Sequence, residues 1–233
     1  MLRAYFFLFF LIPFTFLMAF SAIFFTLFDA SGRAYHFHAR LWSLVSLWFA
    51  GVKVETEGVA RVPRGEPVIF MSNHQSNFDI LSLYQAIPER FSWIAKEELF
   101  SIPVFGHSMR RAGYIPLDRS DGRRSFRSME AAAAKIREGH SVVVFPEGTR
   151  SLDGKLIPFK KGGFLLTELA RVPIVPVTIN GSGRINPAKV IRLKPGTITV
   201  TFAEPISVAA QTGRKRDNLL EQVKAAIEAN LEL

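Results

Sequence analysis

The sequence predicts an α/β domain with a largely buried, mixed or parallel sheet flanked by helices, preceded by an N-terminal two-helix membrane-associated segment. An uncharged apolar run opens the 233-residue chain, and short apolar runs alternate with amphipathic segments after residue 51. Several later runs, such as Val142–Phe145 (VVVF), are apolar at consecutive positions, which is typical of strands covered on both faces. We therefore divide the chain into membrane-anchoring helices at residues 1–50 and an α/β domain at residues 51–233.

The first segment is the most apolar part of the chain. No charged residue occurs from Ala4 to Phe28, and ten of the 22 Phe lie in the first 28 residues. As a helix this run would be ~37 Å long, against a hydrocarbon core of ~30 Å, and Pro13 is expected to kink or divide it. No small-residue cleavage site follows, so we expect the segment to be retained rather than removed as a signal peptide.

A second apolar segment extends from Ala34 to Ala50, and Gly51 follows at a position where helices commonly end. Trp42 and Trp48 suit a membrane interface, where an aromatic ring is half hydrated. The two segments predict a helical hairpin, or a spanning helix plus an interfacial helix. The alternative is one spanning helix followed by an ordinary core helix. Membrane association follows from each of these arrangements.

The domain after Gly51 contains seven predicted strands, each a short apolar or β-branched run between turn residues. They are Val52–Glu57, Pro67–Met71, Ser92–Ala95, Tyr114–Leu117, Ser141–Phe145, Ile174–Ile179 and Thr197–Phe202. Apolar residues recurring on one face predict the helices Asn77–Ile87, Gly122–Glu138 and Lys215–Leu231. Asp121 is the expected N-cap of the second helix, and Gly139 is expected to end it.

Composition limits the chemistry without selecting it. The formal net charge of +9 predicts attraction to an anion, which on charge alone could be nucleic acid, an anionic bilayer or a phosphorylated substrate. The chain has no cysteine, so disulfides, thiolate catalysis and cysteine-ligated zinc are excluded.

The segment Asn73–Asp79 (NHQSNFD) directly follows a predicted strand, where reactive groups collect in α/β sheets. His74 and Asp79 would diverge by about 140° on one helix, so they meet only if His74 lies in the turn. Asp79 would then fix the imidazole tautomer and leave the other ring nitrogen as a base. Such a pair, without a serine or cysteine nucleophile, suits attack by a substrate hydroxyl on an activated acyl group. The alternative is structural, because Ser76 and Asp79 have the spacing of a capping box.

Two further charged loops follow predicted strands, at Gly113–Arg119 (GYIPLDR) and Phe145–Arg150 (FPEGTR). Arg119 and Arg150 carry planar donors suited to a phosphate, and backbone N–H groups around Gly148 could assist them. The alternative interpretation of either loop alone is a strand–turn junction with surface salt bridges.

These three blocks, together with Val172–Val177 (VPIVPV), occur in the order found in PlsC-type glycerolipid acyltransferases, the 1-acylglycerol-3-phosphate acyltransferase family. The sequence resembles that family over residues 73–177. Lys96 and the segment Phe159–Gly163 (FKKGG) also stand where relatives carry similar residues. The match of the H-x4-D and PEGTR blocks at this spacing is highly specific.

The resemblance implies a role for each matched residue. His74 would deprotonate the acceptor hydroxyl, and Asp79 would orient and support it. The substrate-binding residues implied for the glycerol phosphate are Lys96, Arg119, Glu147, Gly148 and Arg150. The Val172–Val177 block would build the acyl channel and the sheet core. Backbone N–H groups near the His74 turn are the expected oxyanion donors.

The resemblance implies acyl transfer from acyl-CoA or an acyl carrier protein to the sn-2 hydroxyl of 1-acylglycerol 3-phosphate. No covalent intermediate, metal or cofactor is expected beyond the thioester co-substrate. Another lysophospholipid, a lyso-aminolipid or glycerol 3-phosphate remain open as acceptors. Two other classes also remain open: a non-catalytic anionic-lipid binding protein, and a membrane-anchored lipid hydrolase, although the chain lacks a G-x-S-x-G elbow.

The expected partners are a membrane lipid acceptor, the anionic bilayer surface, and acyl-CoA or acyl carrier protein, with no nucleic acid. The basic residues that could meet lipid headgroups or the polyanionic donor are Arg123, Arg124, Arg127, Lys189, Arg192 and Lys194. The expected location is the inner (cytoplasmic) membrane, with the catalytic domain facing the cytoplasm. The sequence does not indicate an oligomeric state.

Overall fold

The computed structural model describes residues 1–26, 28–29, 32–118, 121–208 and 214–232. Within these residues one sheet has helices on both faces. Its strands are β1 (Val52–Glu57), β2 (Ile69–Ser72), β3 (Phe91–Lys96), β4 (Ile115–Leu117), β5 (Ser141–Val144), β6 (Ile174–Asn180) and β7 (Gly196–Phe202). The helices are α1 (Leu2–Thr26), α2 (Arg33–Ala50), α3 (Phe78–Ala86), α4 (Phe105–Arg111), α5 (Gly122–Arg137), α6 (Lys161–Ala170), α7 (Ser182–Ile185) and α8 (Arg214–Glu228).

The strand order is β1-β7-β6-β2-β5-β3-β4. The five strands from β6 to β4 are parallel, β7 is antiparallel to β6, and β1 is parallel to β7. Every residue of β2, β5 and β6 is buried, which explains their consecutive apolar residues. The predicted fold class is confirmed, and each predicted strand is present with bounds within two residues of those expected.

Three of the described helices were not predicted: α4, α6 and α7. The helix α6 begins with Lys161-Gly162-Gly163, and glycine has a low helix propensity. The helices α4 and α7 have seven and four residues, too few to show a clear period. The expected N-cap is present, because the Asp121 side chain accepts a hydrogen bond from Arg123 N at 3.1 Å.

Alternate residues of the central strands point to opposite sides of the sheet. Phe70, Val143 and Val175 belong to the core shared with α1, α2 and α3. Ile69 and Val142 belong to the core shared with α5, α6 and α8. The N-terminal hairpin and the three helices α5, α6 and α8 therefore lie on opposite faces of the sheet.

The helices α1 and α2 form an antiparallel hairpin. The rings of Phe10 and Phe49 stack with centroids 4.0 Å apart, and Trp42 Nε1 donates to Thr15 Oγ1 at 2.9 Å. Among the described helices, α1 is the one long and apolar enough to cross a membrane. Pro13 lies inside α1, which is continuous from Leu2 to Thr26, so the proline does not divide the helix, and the expected kink stays a prediction.

The helix α2 packs one face against the α/β domain. Ser43 Oγ donates to Leu81 O at 2.6 Å, and Gln85 Nε2 donates to Arg40 O at 2.9 Å, so α2 is fastened to α3. Its other face exposes large apolar side chains, namely Phe37, Leu44 and Trp48. The division of the chain at residue 50 stays a prediction.

Asn73 extends the β2–β6 pairing beyond the end of the backbone ladder. The last paired residue of β2 is Ser72, opposite Val177. The buried Asn73 side chain then accepts from Ile179 N at 2.7 Å and donates to Ile179 O at 2.9 Å. This amide fixes the point at which the chain leaves the sheet, one residue before His74.

We expect Asn73→Ala to lower the free energy of unfolding by about 3 kcal/mol, because it leaves a buried N–H and C=O of Ile179 without their partner. Asn218→Ala is the control, since the Asn218 side chain bonds Gln222 on an exposed helix surface and should change stability by less than ~0.5 kcal/mol. Thermal unfolding in detergent measures both. Equal unfolding of Asn73→Ala and wild type would show that the amide contributes nothing.

Candidate active site

The described residues that the sequence assigned to the catalytic pair and the substrate site lie at the carboxyl edge of the parallel strands. β2 lies beside β5, and β5 lies beside β3, with Met71 opposite Val144 and Trp93 opposite Val143. Neighbouring parallel strands end at the same edge, so the loops that follow them meet there. His74 follows β2, the Phe145–Arg150 loop follows β5, and Lys96 ends β3.

His74 and Asp79 form the predicted pair. His74 Nδ1 lies 2.7 Å from Asp79 Oδ2. A carboxylate only accepts hydrogen bonds, so the proton of a neutral imidazole in this pair is assigned to Nδ1, which leaves Nε2 as the nitrogen with the free lone pair. The His74 side chain is 15% exposed and that of Asp79 is fully buried. A solute can therefore reach the histidine and not the aspartate.

The same carboxylate oxygen also organises the turn. Asp79 Oδ2 accepts from Gln75 N at 2.7 Å and from Ser76 N at 2.8 Å. Ser76 Oγ in turn accepts from Phe78 N at 3.1 Å, as in a capping box. The catalytic and structural interpretations of Asp79 therefore describe one arrangement, in which three N–H donors offset the cost of burying the charge.

These bonds occupy four of the N–H groups that were expected to serve as oxyanion donors. The N–H groups of Gln75 and Ser76 point to Asp79, and that of Phe78 points to Ser76 Oγ. The N–H of His74 is also engaged, as described below. The expectation is wrong at these four positions, because three of the N–H groups close the turn itself and that of His74 donates to Glu147.

Aromatic rings stack against one face of the His74 imidazole. The rings of His74 and Phe145 lie 3.9 Å apart with their planes inclined by 10°. Trp93 stacks on Phe145 in turn, at 5.7 Å. The stack fixes the plane of the ring, and the bond to Asp79 fixes its rotation in that plane. Phe145 had no predicted role in the site, although an aromatic residue directly before the PEGTR residues is a recognisable signal.

Glu147 holds the backbone of the histidine. Its Oε1 accepts from His74 N at 2.7 Å, and its Oε2 accepts from Ile157 N at 3.0 Å. Ser151, which follows the same loop, binds the carbonyl of His74, since Ser151 N donates to His74 O at 2.8 Å. Burial raises the pKa of Glu147 to about 6, against the two backbone hydrogen bonds, which lower it. The two carboxylate oxygens of Glu147 therefore each accept a backbone N–H group, one of them that of His74.

The Lys160 side chain packs closely against the loop at Gly148, where there is no Cβ. Its φ is +69°, and a Cβ at this position would lie 2.9 Å from Lys160 Cδ. Lys160 is also tied to the loop through its backbone, because Lys160 N donates to Pro146 O at 2.8 Å. The glycine thus permits the close approach of the lysine stem. Lys160 was not among the predicted site residues, although the FKKGG segment was noted as a match.

The basic residues that the sequence predicted to bind phosphate have different surroundings. Arg150 Nη1 donates to Asn77 Oδ1 at 2.8 Å, which ties the β5 loop to the start of α3. The Lys96 side chain is exposed, at the end of β3 and in register with Leu117 of β4. Arg119 lies outside the described residues. In the described part of the chain, no group of three or more His, Asp or Glu side chains is placed to hold a metal ion.

A cavity of about 530 Å³ adjoins the site. Asn77 and Arg150 lie in its wall, and most of the remaining wall is apolar. The apolar wall comes from α1, α3 and the loop between α7 and β7, and includes Phe7, Leu11, Leu81 and Ile191. The space is suited to a hydrocarbon chain whose polar end meets the arginine.

Comparison with known proteins identifies the family to which the chain is similar. The acyltransferase family model matches residues 53–180. A chloroplastic 1-acyl-sn-glycerol-3-phosphate acyltransferase of Brassica napus is 36% identical over 210 residues, covering 89% of this chain and 59% of the relative. The human 1-acyl-sn-glycerol-3-phosphate acyltransferase beta is 34% identical over 166 residues, covering 71% of this chain and 60% of the relative. This chain thus spans about three fifths of the length of these relatives.

A solved structure has the same fold. The crystal structure of the 1-acyl-sn-glycerophosphate acyltransferase PlsC from Thermotoga maritima aligns with a TM-score of 0.78 and 26% identity, covering 94% of this chain and 92% of that one. The family match runs from β1 to the last residue of β6 and includes the His74–Asp79 turn and the Glu147 loop. On these grounds the chain belongs to the acyltransferase family.

Proposed function

We propose that this protein transfers a fatty acyl group from an acyl thioester to the sn-2 hydroxyl of 1-acylglycerol 3-phosphate, giving phosphatidic acid and a free thiol. The observation that carries the proposal is the bond from His74 Nδ1 to the buried Asp79 carboxylate, with the ring partly exposed. The printed names of the relatives support the choice of acceptor. Acyl-CoA and acyl carrier protein both remain donors in this proposal.

In the proposed reaction, Nε2 of His74 removes the proton of the acceptor hydroxyl while its oxygen attacks the thioester carbonyl carbon. The tetrahedral intermediate collapses with cleavage of the C–S bond, and the imidazolium returns the proton to the departing thiolate. Asp79 stabilises the transient positive charge through Nδ1–H. General-base assistance of this kind contributes a factor of ~10²–10⁴ to the rate. No residue of the protein is acylated in this sequence of steps.

The acceptor phosphate would meet the cations around the loop that follows β5. Arg150 keeps donors beyond the bond to Asn77, because a guanidinium carries five N–H groups. The Lys160 side chain packs against Gly148, which precedes Arg150 by two residues. Lys96, and Arg119 outside the described residues, remain further candidates for this role. The adjoining apolar cavity would hold the hydrocarbon chain of the same lipid.

The apolar helix α1 and the lipid acyltransferase relatives indicate membrane association. We propose that the α/β domain lies on the cytoplasmic side of the inner membrane. The absence of cysteine fits a reducing compartment.

We expect His74→Ala to lower transfer from acyl-CoA to lysophosphatidic acid by ~10²–10⁴-fold, in an assay of purified protein in detergent containing EDTA. Asp79→Asn should fold, because its amide oxygen can accept the same N–H groups, and should be slow because the charge is lost. His107→Ala is the matched control, since His107 is an exposed residue of α4. Normal turnover by His74→Ala contradicts the mechanism.

Glu147→Gln should lower kcat roughly 10- to 100-fold while KM for the acceptor changes little. The new amide nitrogen must face His74 N or Ile157 N, and both of these are donors, so the histidine backbone loses one of its supports. A role in direct substrate binding predicts the opposite result, a raised KM with kcat retained.

A pH series provides a second readout for Glu147. Because burial raises its pKa to about 6, the folded protein binds more protons than the unfolded chain between the ordinary pKa and about 6. The stability of wild type relative to Glu147→Gln should therefore be highest at acidic pH and fall as the pH rises through 6. A stability difference that stays constant over this range argues against the buried carboxyl.

Arg150→Ala should raise KM for lysophosphatidic acid by roughly 10- to 100-fold, because a charge-assisted hydrogen bond to the phosphate is lost. The effect should be much smaller with monoacylglycerol, which lacks the phosphate. Arg137→Ala is the control, because Arg137 ends α5 shortly before β5 begins, at the opposite edge of the sheet. An equal effect on both acceptors would remove Arg150 from the phosphate site.

A further inference from the structure

The segment between α7 and β7, residues 187–195 and called here the 187–195 loop, presents an unusual surface. Ala188 and Leu193 are buried and attach the loop to the domain. Between them, Val190 and Ile191 are 52% and 48% exposed. Three exposed cations flank this aliphatic pair, namely Lys189, Arg192 and Lys194. The surface therefore combines an apolar tip with a basic margin.

Hydrogen bonds hold the loop in a defined shape. Lys194 N donates to Ile185 O at 3.0 Å, and Asn186 Nδ2 donates to Arg192 O at 2.8 Å. At the tip, Arg192 N donates to Val190 O at 3.0 Å, and Lys189 has a φ of +61°, which is uncommon for a residue with a side chain. The aliphatic pair is thus directed outward by a fixed turn.

The loop lies beside the apolar helix. Val190 and Ile191 line the 530 Å³ cavity together with Ala4, Phe7 and Leu8 of α1. The same helix exposes a large apolar surface, which includes Phe6, Phe9, Ile12, Phe16 and Phe20. The apolar tip of the loop therefore continues the surface with which α1 meets a membrane.

A second basic cluster is placed differently. Arg123, Arg124 and Arg127 are exposed on α5 around Phe126, which is 42% exposed. The helix α5 packs into the core on the face of the sheet opposite to α1. The α5 cluster and the 187–195 loop are alike in combining basic residues with exposed apolar area. They differ in position, because only the 187–195 loop lies beside α1.

We propose that the 187–195 loop is a second membrane-contact element, in which Val190 and Ile191 enter the apolar edge of an anionic bilayer beside α1. Lys189, Arg192 and Lys194 contact lipid phosphates at the same level. The occupant of this surface is a bilayer, because a cationic margin around aliphatic side chains, adjoining an apolar helix, matches the phosphate-to-hydrocarbon boundary.

The 187–195 loop is hydrogen-bonded to the turn that carries His74, so its contact with the membrane affects the position of the site. Ser76 Oγ donates to Asn186 O at 2.7 Å, and Asn186 also holds the loop through Arg192. The depth of the loop in the bilayer therefore sets the height of His74 above it. On the basis of the proposed lysolipid acceptor, the acyl chain enters sideways between α1 and the aliphatic pair, and its phosphate reaches Arg150 without leaving the interface.

The absence of cysteine allows a direct test of depth. Ile191→Cys, labelled with a nitroxide in the full chain, is reconstituted in vesicles of phosphatidylcholine and phosphatidylglycerol. We expect its relaxation to be enhanced more by oxygen and less by a water-soluble nickel chelate than that of the control Phe126→Cys. Adding Arg192→Glu and Lys194→Glu should reduce the difference in these vesicles and not in phosphatidylcholine alone. Identical accessibility at positions 191 and 126 would overturn the proposal.

Activity tests the entry of the acceptor separately. We expect Ile191→Asp to lower the ratio of kcat/KM for long-chain lysophosphatidic acid in vesicles to kcat/KM for a short-chain, water-soluble analogue. An unchanged ratio would overturn the lateral entry. Wild-type protein that acylates neither acceptor would refute the proposed function, whereas the depth of the loop would still stand on the nitroxide measurement.

Discussion

The site depends on one oxygen atom, Asp79 Oδ2, which receives hydrogen bonds from His74 Nδ1 and from the N–H groups of Gln75 and Ser76. A fully buried carboxylate is costly unless its charge is matched by donors. Here the donors come from the turn that the carboxylate itself shapes. The fold of the turn and the orientation of the His74 ring are therefore one constraint, and neither can change without the other.

The rest of the structure keeps this turn in place. On one side, the Asn73 amide fastens it to β6 through Ile179. On the other side, the loop after β5 binds the His74 peptide at both ends, through Glu147 and Ser151. These contacts need β2 between β5 and β6 with all three strands parallel, which is the observed order. The sheet thus serves to bring three strand ends to one imidazole.

The sequence predicted what depends on local pattern. Strands buried on both faces are recognisable from their consecutive apolar residues. The His74–Asp79 spacing allowed only one geometry in which the two side chains meet, with His74 in the turn before the helix. Contacts between distant segments gave no such signal. Ser76 bonds Asn186, which is 110 residues away. Glu147 was assigned to the substrate from its place in the PEGTR block, and nothing in that block indicates that its carboxylate bonds the N–H groups of His74 and Ile157. The helix α6 was missed because its two glycines hide its period.

The central claim is that Asp79 fixes the His74 tautomer so that Nε2 is a base. The most direct measurement is ¹⁵N NMR of histidine-labelled protein in detergent, with the His74 signals assigned by their loss in His74→Ala. We expect a proton on Nδ1 and an unprotonated Nε2 in the neutral ring, and a weaker preference for this tautomer in Asp79→Asn, because a neutral amide oxygen is a poorer acceptor than a carboxylate. A wild-type His74 that carries its proton on Nε2 would contradict the account.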